Sequence, residues 1–253
     1  MLLDDTSHIS HRRLFLCLDI VPRSWPLEIV SITRSTNSDV IARLKALPHQ
    51  INSISTPFIR VALEQSDGHG LHGRRWFAEP GSALLCSIGY IIRRPINALN
   101  GFSIAVGVAL IEWLRTLPID VHSRIVFKWS NDILLIRDES STHVISGKLA
   151  GILIETAWTT LNATAVVIGF GINIHSITQR VRRAIIFEKG GLQPSALSSV
   201  YPDANITDSL SGSLNTLAPM LKCFEEYGFK PFKSRWKALN IYPEFSKSFS
   251  SKY

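Results

Sequence analysis

Glu64-Gln65-Ser66-Asp67-Gly68-His69-Gly70-Leu71-His72-Gly73-Arg74-Arg75-Trp76 is the stretch on which the reading of this chain turns. It follows Ile59-Arg60-Val61-Ala62-Leu63, which reads as a strand, so the glycines open directly after a strand end. Glycine reaches positive φ and lets main-chain N–H groups come close to a ligand. Arg74 and Arg75 add fixed charge and forked donors that suit phosphate or carboxylate. An ordinary Gly-rich surface loop has the same composition, so the remaining chain has to decide.

Outward from this loop the pattern mixes strands and helices. Ser35-Thr36-Asn37 offers caps just before an apolar spacing at Val40, Ile41, Leu44 and Leu47, which predicts a short amphipathic helix closed by Pro48. Ala83 to Tyr90 is an apolar run that predicts a buried strand after the Pro80-Gly81 turn. A helix is expected over Leu99 to Leu117, from Phe102, Val106, Leu110 and Leu114. Arg124–Trp129, Ile133–Ile136, Lys148–Glu155 and Thr164–Ile168 read as successive strands, with Asn131-Asp132 and the polar segment 137–147 as turns. Leu214 to Tyr227 reads as a second amphipathic helix, and 176–212 as loop with a short helix. Without regular βαβ alternation, the expected class is α+β, a mixed β-sheet flanked by helices. The expected organisation is an irregular N-terminal segment 1–25, a catalytic domain 26–240 and a short tail 241–253.

The bulk properties narrow the class. The 253 residues suit one large domain, and 45% hydrophobic against 19% charged residues are globular values. The net charge of +7 fits phosphate-bearing ligands, nucleic acid or an acidic partner, but no run of Lys/Arg marks a nucleic-acid arm. Cys17, Cys86 and Cys223 are far apart and odd in number, the pattern of reduced thiols in a cytoplasmic protein rather than of disulfides or zinc. The apolar stretch Phe102 to Leu114 is read as too short to span a bilayer, and no export signal is read at the N-terminus.

Five polar clusters interrupt this apolar framework. Ser35-Thr36-Asn37 could be a plain N-cap. Gln65 with the Gly loop is the second. Lys128-Trp129-Ser130-Asn131-Asp132 is either a strand–turn–strand or a cation beside two polar groups. In Gly147-Lys148-Leu149-Ala150-Gly151-Ile152-Leu153-Ile154-Glu155 a lysine enters an apolar strand, where it must snorkel or meet an anion. Gly169-Phe170-Gly171-Ile172-Asn173, alone, reads as a turn.

In this order the clusters STN, Q…GxGxxGRxW, KWxND, KLAGILxE and GxGxN resemble the catalytic domain of biotin–protein ligases, across about residues 30–240. The resemblance implies a seven-stranded mixed sheet, of the kind shared with lipoate ligases and class II aminoacyl-tRNA synthetases. It implies an ATP-dependent biotin–[acetyl-CoA carboxylase] ligase that forms biotinyl-5′-AMP and passes biotin to one lysine of a biotin carrier domain. Biotin and ATP are then substrates, Mg²⁺ travels with ATP, and no metal ligand is assigned to the protein. By motif matching, the biotin-binding residues are Ser35, Thr36, Asn37, Gln65, Gly68, His69, Gly70, Leu71, Lys148 and Gly151, with Ile152 and Leu153 as apolar wall. Gly73, Arg74, Arg75, Trp76, Lys128, Asn131, Asp132 and Asn173 fall on the nucleotide side; Lys148 and Arg74 are the catalytic candidates. A homodimer is allowed; DNA and membrane partners are not expected.

The chain departs from the family pattern at several points. The family loop carries arginines where His69 and Leu71 stand, and Leu71 cannot pair with phosphate. Weaker retention of the adenylate is therefore expected, with Arg74 and Arg75 as partial compensation. Ser130 replaces the usual proline of KWPND. About thirty residues ahead of the motifs are too few for a winged helix-turn-helix, and seventeen residues after Trp236 are too few for the SH3-like barrel of the family. Rival readings are a lipoate–protein ligase of the same fold, a biotin-binding remnant with impaired catalysis, and a basic nucleic-acid binder.

Overall fold

The computed structural model describes residues 9–47, 56–139, 142–179 and 192–241. Seven strands form one sheet in the order β1-β2-β3-β7-β6-β5-β4: β1 Leu27–Thr33, β2 Phe58–Gln65, β3 Ala83–Ile92, β4 Ser123–Lys128, β5 Asp132–Glu139, β6 Thr142–Thr159 and β7 Thr164–Asn173. Only β1 and β2 run parallel; every other pair is antiparallel. The mixed sheet expected from the sequence is therefore present.

Strand alternation sorts β7 between two layers. Val166, Ile168, Phe170 and Ile172 face the larger core, while Ala165 and Val167 face a smaller one. The smaller core is roofed by α3 (Thr36–Lys45), whose Val40 and Leu44 meet Phe58, Ile91 and Trp158. On the other face lie α4 (Phe102–Leu114), α5 (Ile206–Tyr227) and α6 (Lys233–Leu239). α4 buries eleven of its thirteen residues, which is why its sequence is apolar all round. α4 itself has 13 residues; counted with the separate 3₁₀ turn ahead of it, Ile96–Leu114 reaches 19 residues, a stretch long and apolar enough by length and composition to cross a membrane. Its burial beneath the sheet explains its apolarity instead.

Four expectations need correction. Residues 9–25 are ordered as α1 (His11–Cys17) and α2 (Ile20–Arg23), tied to α5 by Arg13–Asp208, by Ser10 N donating to Thr207, and by Asp19 N donating to Asn215. Leu14, Leu18 and Trp25 enter the main core, so the segment shares the domain's core; helices of one or two turns are too short to show a period. β1 escaped notice because it is an edge strand with mixed exposure. The supposed turn 137–147 is largely strand, since Arg137↔Val144 and Glu139↔Thr142 continue the β5–β6 ladder; its hydrogen bonds are main-chain and independent of side-chain polarity. α5 starts at Ile206, eight residues earlier than expected, capped by Asn205. Pro48, the expected helix stop, and the tail beyond residue 241 lie outside the described residues; α3 itself ends at Lys45.

Candidate functional site

On the α3 face glycines interrupt the middle strands. Gly151 lies beside Gly171, and Leu153 beside Gly169, across the β6–β7 ladder. A Cβ on Gly169 would come within 2.1 Å of Asn37 Oδ1, and one on Gly171 within 2.6 Å of the Trp76 ring. The missing side chains leave a hollow on the sheet. The Gly loop lies over it and is held together by Gly70 N donating to Arg74 O and Trp76 N donating to Gly68 O.

The hollow has two chambers. The inner one, about 450 Å³ with its solvent-open mouth counted, is lined by Ser35, Thr36, Asn37, Gln65, His69 and Gly151 together with Leu85, Cys86, Ile152 and Leu153. The outer one, about 1280 Å³ and open to solvent, is walled by Leu71, His72, Arg74, Arg75, Lys128, Asp132 and Asn173. Gly70, Trp76, Asn131 and Lys148 border both. Trp76 therefore stands between the chambers, its ring against Gly151 and Gly171.

The inner chamber holds a connected set of short hydrogen bonds. Thr36 donates to Gln65 Oε1 from its backbone N at 2.7 Å and its hydroxyl at 2.9 Å. Ser87 Oγ donates to Asn37 Oδ1 at 2.6 Å and lies 2.7 Å from Thr36 Oγ1. Asn37 Nδ2 donates to Glu155 Oε2 at 2.7 Å. Because Gln65 Oε1 is occupied, its amide NH₂ is the end left for a ligand acceptor. Ser35 keeps the capping role that its position suggests, accepting from Ser38 N at 3.4 Å.

Lys148 marks the junction. Its Nζ lies 2.7 Å from Asp132 Oδ1 and 5.2 Å from the Trp76 ring centroid. Ion pair and ring together answer how a lysine enters an apolar strand. The backbone here is held from both sides. Lys148 N donates to Gln193 O and Ser195 N to Lys148 O. Gly147, at φ +149, makes room, since a Cβ there would sit 2.3 Å from Gln193 O. Asn131 ties the β4–β5 turn to β6, its Nδ2 donating to Ile152 O, and Asn173 Nδ2 donates to Lys148 O.

The sequence-derived set is thus brought to one hollow, with three exceptions. Leu71 lies on the outer chamber, not with the inner set to which motif matching assigned it. Gly68 and Gly73 border neither chamber. Gly68 lets the loop fold back on Gln65 and Trp76, and Gly73 takes φ +70 where the loop turns. Gly169–Asn173 is strand rather than turn. Sequence reasoning missed Ser87 and quoted Glu155 only as the end of a motif, with no role. A hydroxyl at the centre of the apolar run Ala83–Tyr90 was the signal for Ser87, which is fully buried. Burial also pushes the neighbouring Cys86 thiol well up, holding it neutral.

A model of the biotin/lipoate A/B protein ligase family matches residues 30–173, more than half of the chain and nearly all of the hollow. The chain belongs to that family. Among its relatives, the bifunctional ligase/repressor BirA of Salmonella typhimurium is 32% identical over 217 residues, covering 86% of this chain and 60% of the relative. The biotin–[acetyl-CoA-carboxylase] ligase of Mycobacterium tuberculosis is 31% identical over 156 residues, 61% of this chain and 52% of the relative. The chain thus spans about 60% or less of the length of these relatives. The fold is that of the biotin protein ligase from Aquifex aeolicus in complex with biotin and ATP, with TM-score 0.58, 20% identity and coverage of 86% and 79%. The Leishmania major enzyme in complex with biotinyl-5-AMP has the same TM-score at 17% identity, covering 85% of this chain and 81% of its own.

Proposed function

We propose that this family member is a biotin–protein ligase, with biotin in the inner chamber, ATP in the outer one, and a biotin carrier domain as acceptor. The observation that carries the reading is the position of Lys148, which borders both chambers with Trp76. A carboxylate reaching out of the inner chamber and an α-phosphate in the outer one meet beside its ammonium group. The inner chamber's polar set matches a small head bearing both donors and acceptors, and Ile152, Leu153 and Leu85 supply the apolar wall. These are the demands of biotin's ureido ring, and biotin is also the ligand named for the Aquifex relative.

In the first step a biotin carboxylate oxygen attacks the α-phosphorus of ATP, forming biotinyl-5′-AMP and releasing pyrophosphate. Lys148 Nζ leaves Asp132 for the developing phosphate charge, and Arg74 and Arg75 line the chamber that receives the pyrophosphate. The buried indole N–H of Trp76, which meets no acceptor among the described residues, gains one from a ligand oxygen. Mg²⁺ arrives on the triphosphate as a co-substrate. In the second step the ε-amine of the acceptor lysine attacks the acyl carbon, loses a proton, and AMP departs. Positioning carries much of the rate in both steps.

Intact-mass analysis of a biotin carrier domain incubated with the protein, biotin and MgATP tests this. One biotinyl addition is expected, reduced on the order of 10²- to 10³-fold in rate for Lys148→Ala, the scale for loss of one charge-stabilising group. Additions at several lysines would show adenylate leaking past Leu71. No addition, with biotin still bound, would leave the remnant reading.

A further inference from the structure

We infer that Ser87 and Glu155 are positioning residues that fix, through Asn37, which groups of the inner chamber donate hydrogen bonds and which accept them. The inference rests on the chambers being the ligand site. Neither residue lines either chamber; Ser87 is fully buried, and Glu155 accepts from Asn37, which does line the inner one. The fold brings them together across three strands. Ser87 of β3 is in register with Gly169 of β7, and Gly169 with Leu153 of β6, two residues before Glu155. The Asn37 amide lies against Gly169, whose lack of a side chain makes room for it.

The direction of the bonds follows from the groups at one end of the chain. Asn37 Nδ2 faces Glu155 Oε2 at 2.7 Å and Leu153 O at 3.4 Å. A carboxylate and a backbone carbonyl only accept, so the NH₂ end must point at them and Oδ1 must point at Ser87. An amide oxygen carries no proton, so the Ser87 hydroxyl donates to it, at 2.6 Å. That commits the one Ser87 proton. Thr36 Oγ1, 2.7 Å from the same hydroxyl, keeps its own proton within the network, where Gln65 Oε1 lies at 2.9 Å. Gln65 Oε1 also takes Thr36 N at 2.7 Å, which turns the Gln65 NH₂ outward. The chamber therefore meets a ligand with an acceptor at Thr36 and a donor at Gln65, in an order set from β6. A ureido head, with N–H beside C=O, fits that order. The dithiolane head of lipoate offers neither group, so Ser87 and Glu155 favour biotin between the two acids of the family's name.

Two measurements on the full chain test this. In the ligand-free protein, the side-chain amide signals of Asn37 and Gln65 in proton–nitrogen correlation spectra report the chain directly. Glu155→Met removes the acceptor and should shift both signals. Glu155→Gln, whose carbonyl still accepts from Asn37, should leave the Gln65 signal in place. An unmoved Gln65 signal in Glu155→Met would overturn the inference, whichever acid binds. Calorimetric titration is the second measurement. Glu155→Met and Ser87→Ala should weaken biotin and desthiobiotin, which share the ureido head, alike and by on the order of tenfold, the scale of one lost hydrogen bond to a buried group. Preference for biotin over lipoic acid should fall by the same factor, with ATP affinity unchanged and Glu155→Gln within about twofold of wild type. Parallel loss of ATP binding would mark a merely structural role and overturn the inference. Where Ser87→Ala does not fold, the part-exposed Glu155 carries the comparison. Absence of biotin binding by the wild type would instead count against the ligase reading, leaving the Gln65 signal to decide the inference.

Discussion

The two chambers are built on opposite principles although they share a wall. In the inner chamber Ser35, Thr36 and Asn37 are each 4% exposed and Ser87 is fully buried, and their polar atoms are largely paired with one another. In the outer chamber His72, Arg74 and Arg75 are exposed, and no ion pair to either arginine occurs among the described residues. Burial explains the contrast. A buried amide left without a partner costs about 1–3 kcal/mol, whereas an exposed guanidinium keeps its water. The inner half is preorganised for one shape, whereas the two arginines of the outer half are left to water.

The largest break in this comparison should come from Gly169→Ala. The new methyl would sit 2.1 Å from Asn37 Oδ1, and the amide behind it is fixed by Ser87 and Glu155. Neither can yield without losing a hydrogen bond. Urea denaturation should show a loss of about 1–3 kcal/mol, as for other overpacked sites. Isothermal titration should show biotin affinity lower by on the order of tenfold or more, the equivalent of about 1.4 kcal/mol. Near-wild-type affinity would mean that the inner chamber remodels freely, which would remove the distinction between the halves.

Arg74→Ala should behave in the contrary way. Its side chain faces solvent and the outer chamber, so stability should stay within about 0.5 kcal/mol of wild type. The apparent KM for ATP should rise severalfold, and the salt dependence of ATP binding should become shallower, while biotin binding in the absence of nucleotide is unaffected. A stability loss comparable to that of Gly169→Ala would show the loop to be part of the core.

The same physics decides what could be read from the sequence. The Gly loop and the lysine in the Lys148 strand drew notice because each sets polar or glycine residues against an apolar strand. Their grouping into one site came from the resemblance of five ordered motifs, and Gly169–Asn173 alone was read as a turn where the fold has a strand. The mixed sheet was legible from strands that did not alternate with helices. Ser87 was not, because a lone serine in Ala83–Tyr90 has no periodic signature; only the fold sets it opposite Gly169 and beneath α3. Glu155 was quoted as part of a motif, but its partner Asn37 is 118 positions away along the chain, and only the fold joins them. α1 and α2 were missed because their order comes from docking on α5. Motif matching grouped Leu71 with residues of the inner chamber because a motif gives sequence order, not which side of Trp76 a residue takes.

The smallest effect sharpens the comparison without altering either chamber. Cys86 lines the inner chamber yet is 1% exposed, while Cys17 is exposed and Cys223 intermediate. Burial raises the Cys86 thiol, so folding favours its neutral form. A raised group of this kind leaves stability unchanged below the ordinary thiol pKa of about 8.5, and its contribution fades only as pH climbs toward the folded value. Near neutral pH the shift is therefore silent in stability, but it is visible in reactivity, because the thiolate is the reacting species. At about pH 8 a maleimide should modify Cys17 quickly, Cys223 more slowly, and Cys86 only once urea unfolds the chain. Mass spectrometry of the labelled peptides distinguishes the three sites. Rapid labelling of Cys86 in the native protein would mean that the floor of the inner chamber opens to solvent. The polar set above it would then be assembled by the ligand rather than waiting for it.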